Sequence, residues 1–384
     1  MWRRTPLKQT GLTGLTWNRG IQSTFILTCV FVAFPLGYGQ TQEDTDLTQA
    51  LAEYRAGHFE TAELLLRNIS ERASQIGDDY AAAAAQIHLG DLYQNEDRLI
   101  DAEKVYSKAL SILRRIPNTS YEQAVALRNL ASVYSLNRRD AEAVKALEEG
   151  SKLITKNTRR EEALAAQILN SLAVVYFRQR KTGKAETLLV RAIALADEAE
   201  LTLGYAQILN NMGSVYLRRR QLANAETAFK RSLEITERVY SGIPSKERTE
   251  LDGSNLEVAI TLNNLASVYT EMRRYRDAEE LYRRSLNILQ QTNPPLDAKI
   301  VRTLHALSKT YLRQGDATRA ESVLARAADL ARRNPLSRED LPMILEAYAE
   351  VLKSRGQTEL AQYLRLEARQ TRAEMRLTVR APTR

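Results

Sequence analysis

One motif recurs at a spacing of about forty residues along nearly the whole chain. It reads apolar, small, two variable positions and Tyr, then Ala nine residues on, then a second small residue seven later. The Tyr positions are Tyr54, Tyr93, Tyr134, Tyr176, Tyr216, Tyr269 and Tyr311, with Leu352 in an eighth copy. The following alanines are Ala102, Ala143, Ala185, Ala225, Ala278, Ala320 and Ala361, and Ala62 comes one residue early after Tyr54. A fixed period of this size means stacked copies of one small unit, because no single copy can bury its own apolar stripe.

The copy around Tyr269 shows what each unit must look like. Leu262, Leu265 and Tyr269 are three and four residues apart and share one helical face. Ala266 lies on that face and is small enough to admit a neighbouring helix. The polar run 271–276 turns the chain. A second amphipathic helix follows, with Ala278 and Ser285 at its close contacts and Leu281, Leu286 and Leu289 filling the space beside them. The other copies repeat the pattern, with Leu89, Leu130, Leu172, Met212 and Leu307 four residues before their Tyr or its equivalent. Each unit therefore reads as an antiparallel helix pair.

These residues resemble the tetratricopeptide repeat over about residues 46–370. The stretches His88-Leu-Gly-Asp-Leu-Tyr93 and Asn211-Met-Gly-Ser-Val-Tyr216 match it best. Most spacings are 40 to 42 residues rather than 34, and the longer form is similar to the kinesin-light-chain type of the repeat. The resemblance implies an all-α fold, a right-handed α-solenoid of about eight antiparallel helix pairs. It implies no kinesin role. Tyr216 to Tyr269 breaks the rhythm at 53 residues, and Gly242, Pro244 and Gly253 place the surplus in a loop at about 239–254. That surplus reads as a surface insertion, with a docking loop as the other reading.

Residues 1–39 stand apart from the repeats. Arg3, Arg4, Lys8 and Arg19 precede an apolar segment, 25–36, and no acid comes before Glu43. Twelve apolar residues are too few to span a bilayer but suit the core of a secretory signal, with cleavage expected near Gly39 and Gln40. The expected product is secreted or periplasmic. A noncleaved membrane anchor or an organellar transit peptide is the alternative reading. Without the leader, 51 Lys and Arg face 47 acids, a weak excess that does not point to nucleic acid. The one cysteine, Cys29, lies in the leader, so disulfide and thiol chemistry are not expected of the rest. The C-terminal residues 371–384 read as a basic tail.

In a tetratricopeptide solenoid the first helices of successive pairs line the concave side, where partners usually bind. The resemblance places groove positions about six and two residues before each Tyr and one or two after it. On that basis, and with Arg302 added, Arg128, Asn170, Arg178, Asn210, Arg218, Asn263, Arg302, His305, Lys309 and Arg313 are the candidate partner-binding residues. Amides can hold an extended peptide through its backbone, and arginines can pair bidentately with acidic side chains. A protein or peptide ligand, acidic in character, is therefore expected. The same amides could instead bond between adjacent pairs, and exposed arginines could merely solvate a face. The position two before the Tyr holds Asp91, Ser132, Val174, Ser214, Ser267 or Lys309 and never Asn, which argues against a terminal-carboxylate clamp.

Doublets such as Arg138-Arg139 and Arg273-Arg274 fall near turns and helix ends, where the helix dipole favours cations by about 0.3–1 kcal/mol. Three histidines and the lone leader cysteine supply no zinc spacing, and no phosphate-binding loop or nucleophile elbow occurs. The chain is expected to be non-catalytic, with no cofactor and no metal. The sequence sets no oligomeric state.

Overall fold

The computed structural model describes residues 42–196, 203–242, 254–292, 297–334 and 337–380. The leader at 1–39, the tip of the long interval at 243–253 and residues 381–384 of the tail lie outside them. The described residues form sixteen α-helices and no strand. They fall into two compact bodies, one ending at residue 292 and one starting at residue 297, which are taken in turn.

The first body holds α1 (Gln42–Arg55), α2 (Phe59–Ile76), α3 (Asp79–Asn95), α4 (Leu99–Leu113), α5 (Ser120–Leu136) and α6 (Asp140–Leu153). It continues with α7 (Arg159–Arg178), α8 (Thr182–Leu195), α9 (Leu203–Arg218), α10 (Leu222–Gly242), α11 (Ser254–Glu271) and α12 (Tyr275–Gln291). Each odd-numbered helix packs on the even-numbered one that follows, and each pair packs on the next. From α1 to α11, each odd-numbered helix also touches the next odd-numbered one. No comparable packing joins even-numbered helices among the described residues. Closer spacing on one side bends such a stack, so the first helices form its inner surface. The segment expected to loop from residue 239 remains helical to Gly242.

The repeated alanines work as the sequence implies. Ala62, Ala102, Ala143, Ala185, Ala225 and Ala278 are fully buried where two helices of a pair meet. Gly90 and Gly213 take this further. A Cβ at Gly90 would lie 2.4 Å from the Tyr106 ring, and one at Gly213 would lie 2.7 Å from that of Phe229. A glycine within a helix costs about 1 kcal/mol relative to alanine, and here it admits a large ring from the partner helix.

The turns within pairs are copies of one another. In each, the amide five residues after the signature position donates to that position's carbonyl. The distance is 2.8 Å from Arg98 to Tyr93, from Arg139 to Tyr134 and from Arg274 to Tyr269, and 2.9 Å from Gln221 to Tyr216. One residue earlier the backbone is left-handed, at Asp97, Arg138, Arg180, Arg220 and Arg273. The arginine doublets thus sit in turns. In the first pair the equivalent bond runs from His58 to the carbonyl of Glu53, 2.9 Å, with Gly57 left-handed. Glu53, not Tyr54, therefore holds the signature position, and Ala62 is nine residues later as in every other copy. The irregularity in the sequence belongs to Tyr54, whose ring packs beside Phe59.

A clip joins consecutive pairs. Glu63 on α2 accepts from the hydroxyl of Tyr93 (2.9 Å) and from Arg98 (2.6 Å) in the next pair, and Arg98 stacks 4.1 Å from the Tyr93 ring centre. The arrangement recurs as Glu226 with Tyr269 (3.2 Å) and Arg274 (3.1 Å), again with the guanidinium over the ring at 4.0 Å. Glu103 with Arg139, 2.6 Å, repeats the ion pair beside the Tyr134 ring.

The second body holds α13 (Asp297–Gln314), α14 (Ala317–Arg333), α15 (Leu341–Ser354) and α16 (Thr358–Arg380). Its helices pack in order, α13 on α14, α14 on α15, and α15 on α16. Ala320 and Ala361 are buried at the signature positions, and Gly315 and Gly356 supply the left-handed turn residues. α16 runs through residues 371–380, the first ten of the segment read as a tail.

Candidate functional site

Positions twelve, nine, six and two residues before the signature position and two after it fall along one side of each first helix, and the last three are polar or cationic in most copies. Two bodies use that register differently.

In the first body polar side chains at or next to these positions bond one another between neighbouring pairs. Asn129 donates to Asp91 across α5 and α3 at 3.0 Å, and Tyr106 donates to the same buried carboxylate at 2.6 Å. Asn211 donates to Asn170 across α9 and α7 at 2.8 Å, and Asn264 donates to Asn210 across α11 and α9 at 3.0 Å. The candidate amides Asn170 and Asn210 are therefore acceptors in a ladder between neighbouring pairs. Asn263 is half-buried beside that ladder. Gln94 donates to Ser132 at 3.1 Å, and Gln207 donates to the buried Glu257 at 2.5 Å.

The candidate arginines of this body are similarly engaged. Arg128 is buried, bonds Asn129 at 2.8 Å and reaches Gln167 on α7. Arg178 donates to the carbonyl of Ser135 at 2.9 Å and to its hydroxyl at 2.6 Å, and pairs with Asp140. Burial pulls its guanidinium below the ordinary value, and Asp140 partly offsets this. Arg218 donates to the carbonyl of Phe177 at 2.5 Å and lies 3.3 Å from that ring's centre. Burial, and then the charge of Arg180, lower its pKa. A small notch between α9, α10 and α11 is lined by Gln207, Asn210, Ser232, Thr236, Glu257 and Thr261.

Three ladder amides, Asn129, Asn211 and Asn264, stand one residue beyond the positions expected from the sequence. The signal for the last two was present in the doublets Asn210-Asn211 and Asn263-Asn264.

The second body contrasts with this. Arg302 donates to the buried Asp340 at 2.7 Å. His305 is buried, and burial together with the nearby Lys309 charge pushes its pKa down to about 4. Lys299 is pushed down to about 8 by burial and then by Arg302. Lys309 and Arg313 are exposed. Among the described residues no group of three or more His, Cys, Asp and Glu side chains could hold a metal ion, and no helix is long and apolar enough to cross a membrane.

A family model described as tetratricopeptide repeat matches residues 81–156, 164–241 and 257–333. No curated protein matches the chain. Among solved structures, BtubC (BKLC) from P. vanneervenii is 22% identical, with 61% of this chain and 91% of that one covered at a TM-score of 0.51. A Rap protein complexed with competence and sporulation factor is 16% identical, with 88% and 99% covered at a TM-score of 0.55. The Rap conjugation gene regulator of plasmid pLS20, in complex with the Phr* peptide, is 15% identical, with 81% and 79% covered at a TM-score of 0.53. These likenesses are of fold.

Proposed function

The chain belongs to the tetratricopeptide repeat family, and from that premise we propose that it is a non-catalytic scaffold that holds a protein or peptide on the face of its first helices. The observation that carries this reading is the register itself. Polar and cationic side chains recur six and two residues before the signature position and two after it, while the Leu, Ala and Tyr of the motif are used up by packing. The Rap regulator solved with the Phr* peptide supports a peptide as ligand for a fold of this kind.

A selection from a displayed peptide library, followed by photo-crosslinking to the full chain, tests it. Crosslinks should fall on α5, α7, α9, α11 and α13. Crosslinks confined to the even-numbered helices, or no enriched peptide, would overturn the reading.

Export is part of the proposal. It is supported by the basic, acid-free stretch and the twelve apolar residues at 25–36. N-terminal sequencing of the protein purified from its source should begin near Gln40, and an intact Met1 would instead favour an intracellular or organellar assembly scaffold.

A further inference from the structure

Five positions define the binding register, and α11 and α13 fill them with opposite chemistry. At twelve, nine, six and two residues before the Tyr and two after it, α11 carries Glu257, Ile260, Asn263, Ser267 and Glu271. α13 carries Lys299, Arg302, His305, Lys309 and Arg313 at the same positions. No other first helix among the described residues has more than two Lys, Arg or His there.

Internal ion pairing accounts for only part of the basic stripe. Arg302 has Asp340, but the side chains of Lys299 and Lys309 have no hydrogen-bond or ion-pair partner among the described residues. The acids nearest in register on the next first helix, Glu346 and Glu350 of α15, are held by Arg372 and by Arg365 (2.5 Å) from α16. Asp297, at the head of α13, accepts from Asn334 at 2.8 Å. The neighbouring acids are thus engaged elsewhere, and the cations repel one another. Both depressed pKa values, at Lys299 and His305, have a neighbouring cation as their second cause after burial. An arrangement that is unfavourable in the free protein is relieved when negative charge arrives.

We infer that the α13 stripe recognises the carboxylates of an acidic peptide segment. The inference rests on the reading of the first helices as the binding face and names the chemistry that this part of it takes. Lys299 to Arg313 spans about 21 Å of helix, which an extended peptide covers in about six residues. Carboxylates near both ends of such a segment would reach Lys299 and Arg302 at one end and Lys309 and Arg313 at the other. Nucleic acid fits less well, because the one aromatic ring on α13, Tyr311, is buried and leaves no surface for base stacking.

The test is fluorescence anisotropy of the full chain with a labelled octapeptide of Glu and Ala, against its Gln-for-Glu counterpart, at 50 mM salt (about the lower end of the usual range for such contacts). The Glu peptide should bind at least about tenfold tighter. Lys309→Glu with Arg313→Glu should abolish that preference, and Lys104→Glu with Lys108→Glu, exposed on the even-numbered α4, should leave it in place. Both α13 side chains are exposed, so the fold should survive. If it does not, Lys309→Gln with Arg313→Gln should still weaken the Glu peptide severalfold. Equal binding of the two peptides, or an unchanged preference in the α13 variant, overturns the inference. So does tighter binding of a single-stranded oligonucleotide lost in the same variant. If peptides from the library still crosslink to the first helices in any of these cases, the scaffold reading stands and only the acidic specificity falls.

Discussion

The two bodies share one architecture and spend the same surface register differently. In residues 42–292 the polar side chains of the first helices mostly bond to the first helix next door, as in the Asn211–Asn170 and Asn264–Asn210 links. In residues 297–380 the register of α13 is cationic, and Asp340 bonds Arg302 within it. The first arrangement holds helices together; the second keeps two ammonium groups, those of Lys299 and Lys309, out of any such bond among the described residues. A polar residue at a binding position is therefore not evidence of binding until its partners are known.

The largest effect should come from the buried end of the ladder. Asp91→Ala strands the Tyr106 hydroxyl and the Asn129 amide and should cost about 3 kcal/mol by urea denaturation. A cost under about 1 kcal/mol would mean that these bonds do not hold the first body together.

Acid should separate the two bodies next. The folded pKa of His305 is about 4 against an ordinary value of 6.5, so the unfolded chain takes up its proton first as pH falls. The stability present above pH 6.5 is lost between 6.5 and 4, by up to about 3 kcal/mol. Glu63 behaves in the opposite range. Burial alone would raise its pKa, but hydrogen bonds from Arg98, Tyr93 and Arg67 hold it at about 2. Its contribution is complete above pH 4.5 and fades only as pH falls from there toward 2. Hydrogen exchange at pH 5 should show α13 and α14 loosening before α2 and α3. The reverse order would remove this distinction.

The smallest effects sharpen the contrast most directly. Asn211→Ala removes a buried amide donor and should cost about 1–2 kcal/mol, whereas Lys309→Ala should stay within about 0.5 kcal/mol. Equal thermal shifts for the two would show that the cationic register is as structural as the amide one.

The fold was legible because its determinants are local and repeated. Leu, small residue and Tyr at fixed spacings have one packing solution, and the buried alanines occupy it. The site was harder to read. Asn170 and Asn210 stand where the sequence puts them, but only the structure shows that Asn211 and Asn264 reach across to them, because partners about forty or more residues away are chosen by the stacking of pairs. The α13 stripe was visible in four of its five members. Lys299 lies twelve residues before Tyr311, three turns back, beyond the span over which the sequence pattern was informative. Tyr54 misled for the opposite reason: an aromatic ring one residue off register imitates the signature, and only the His58–Glu53 bond shows which residue holds the place.

The repeated turns also make this protein improvable. Arg180 and Arg273 sit in left-handed backbone, φ 61° in both, where Gly315 and Gly356 serve the second body. A side chain in that conformation costs roughly 1–2 kcal/mol, and glycine gives back part of the gain through its freer unfolded chain. Arg180→Gly and Arg273→Gly should each leave a net gain of about 0.5–1 kcal/mol. The two turns are far enough apart in sequence for those gains to add. Turn residues that contribute nothing to either packing or recognition are thus adjustable settings, and heat tolerance could be raised through them without touching the surface that meets a partner.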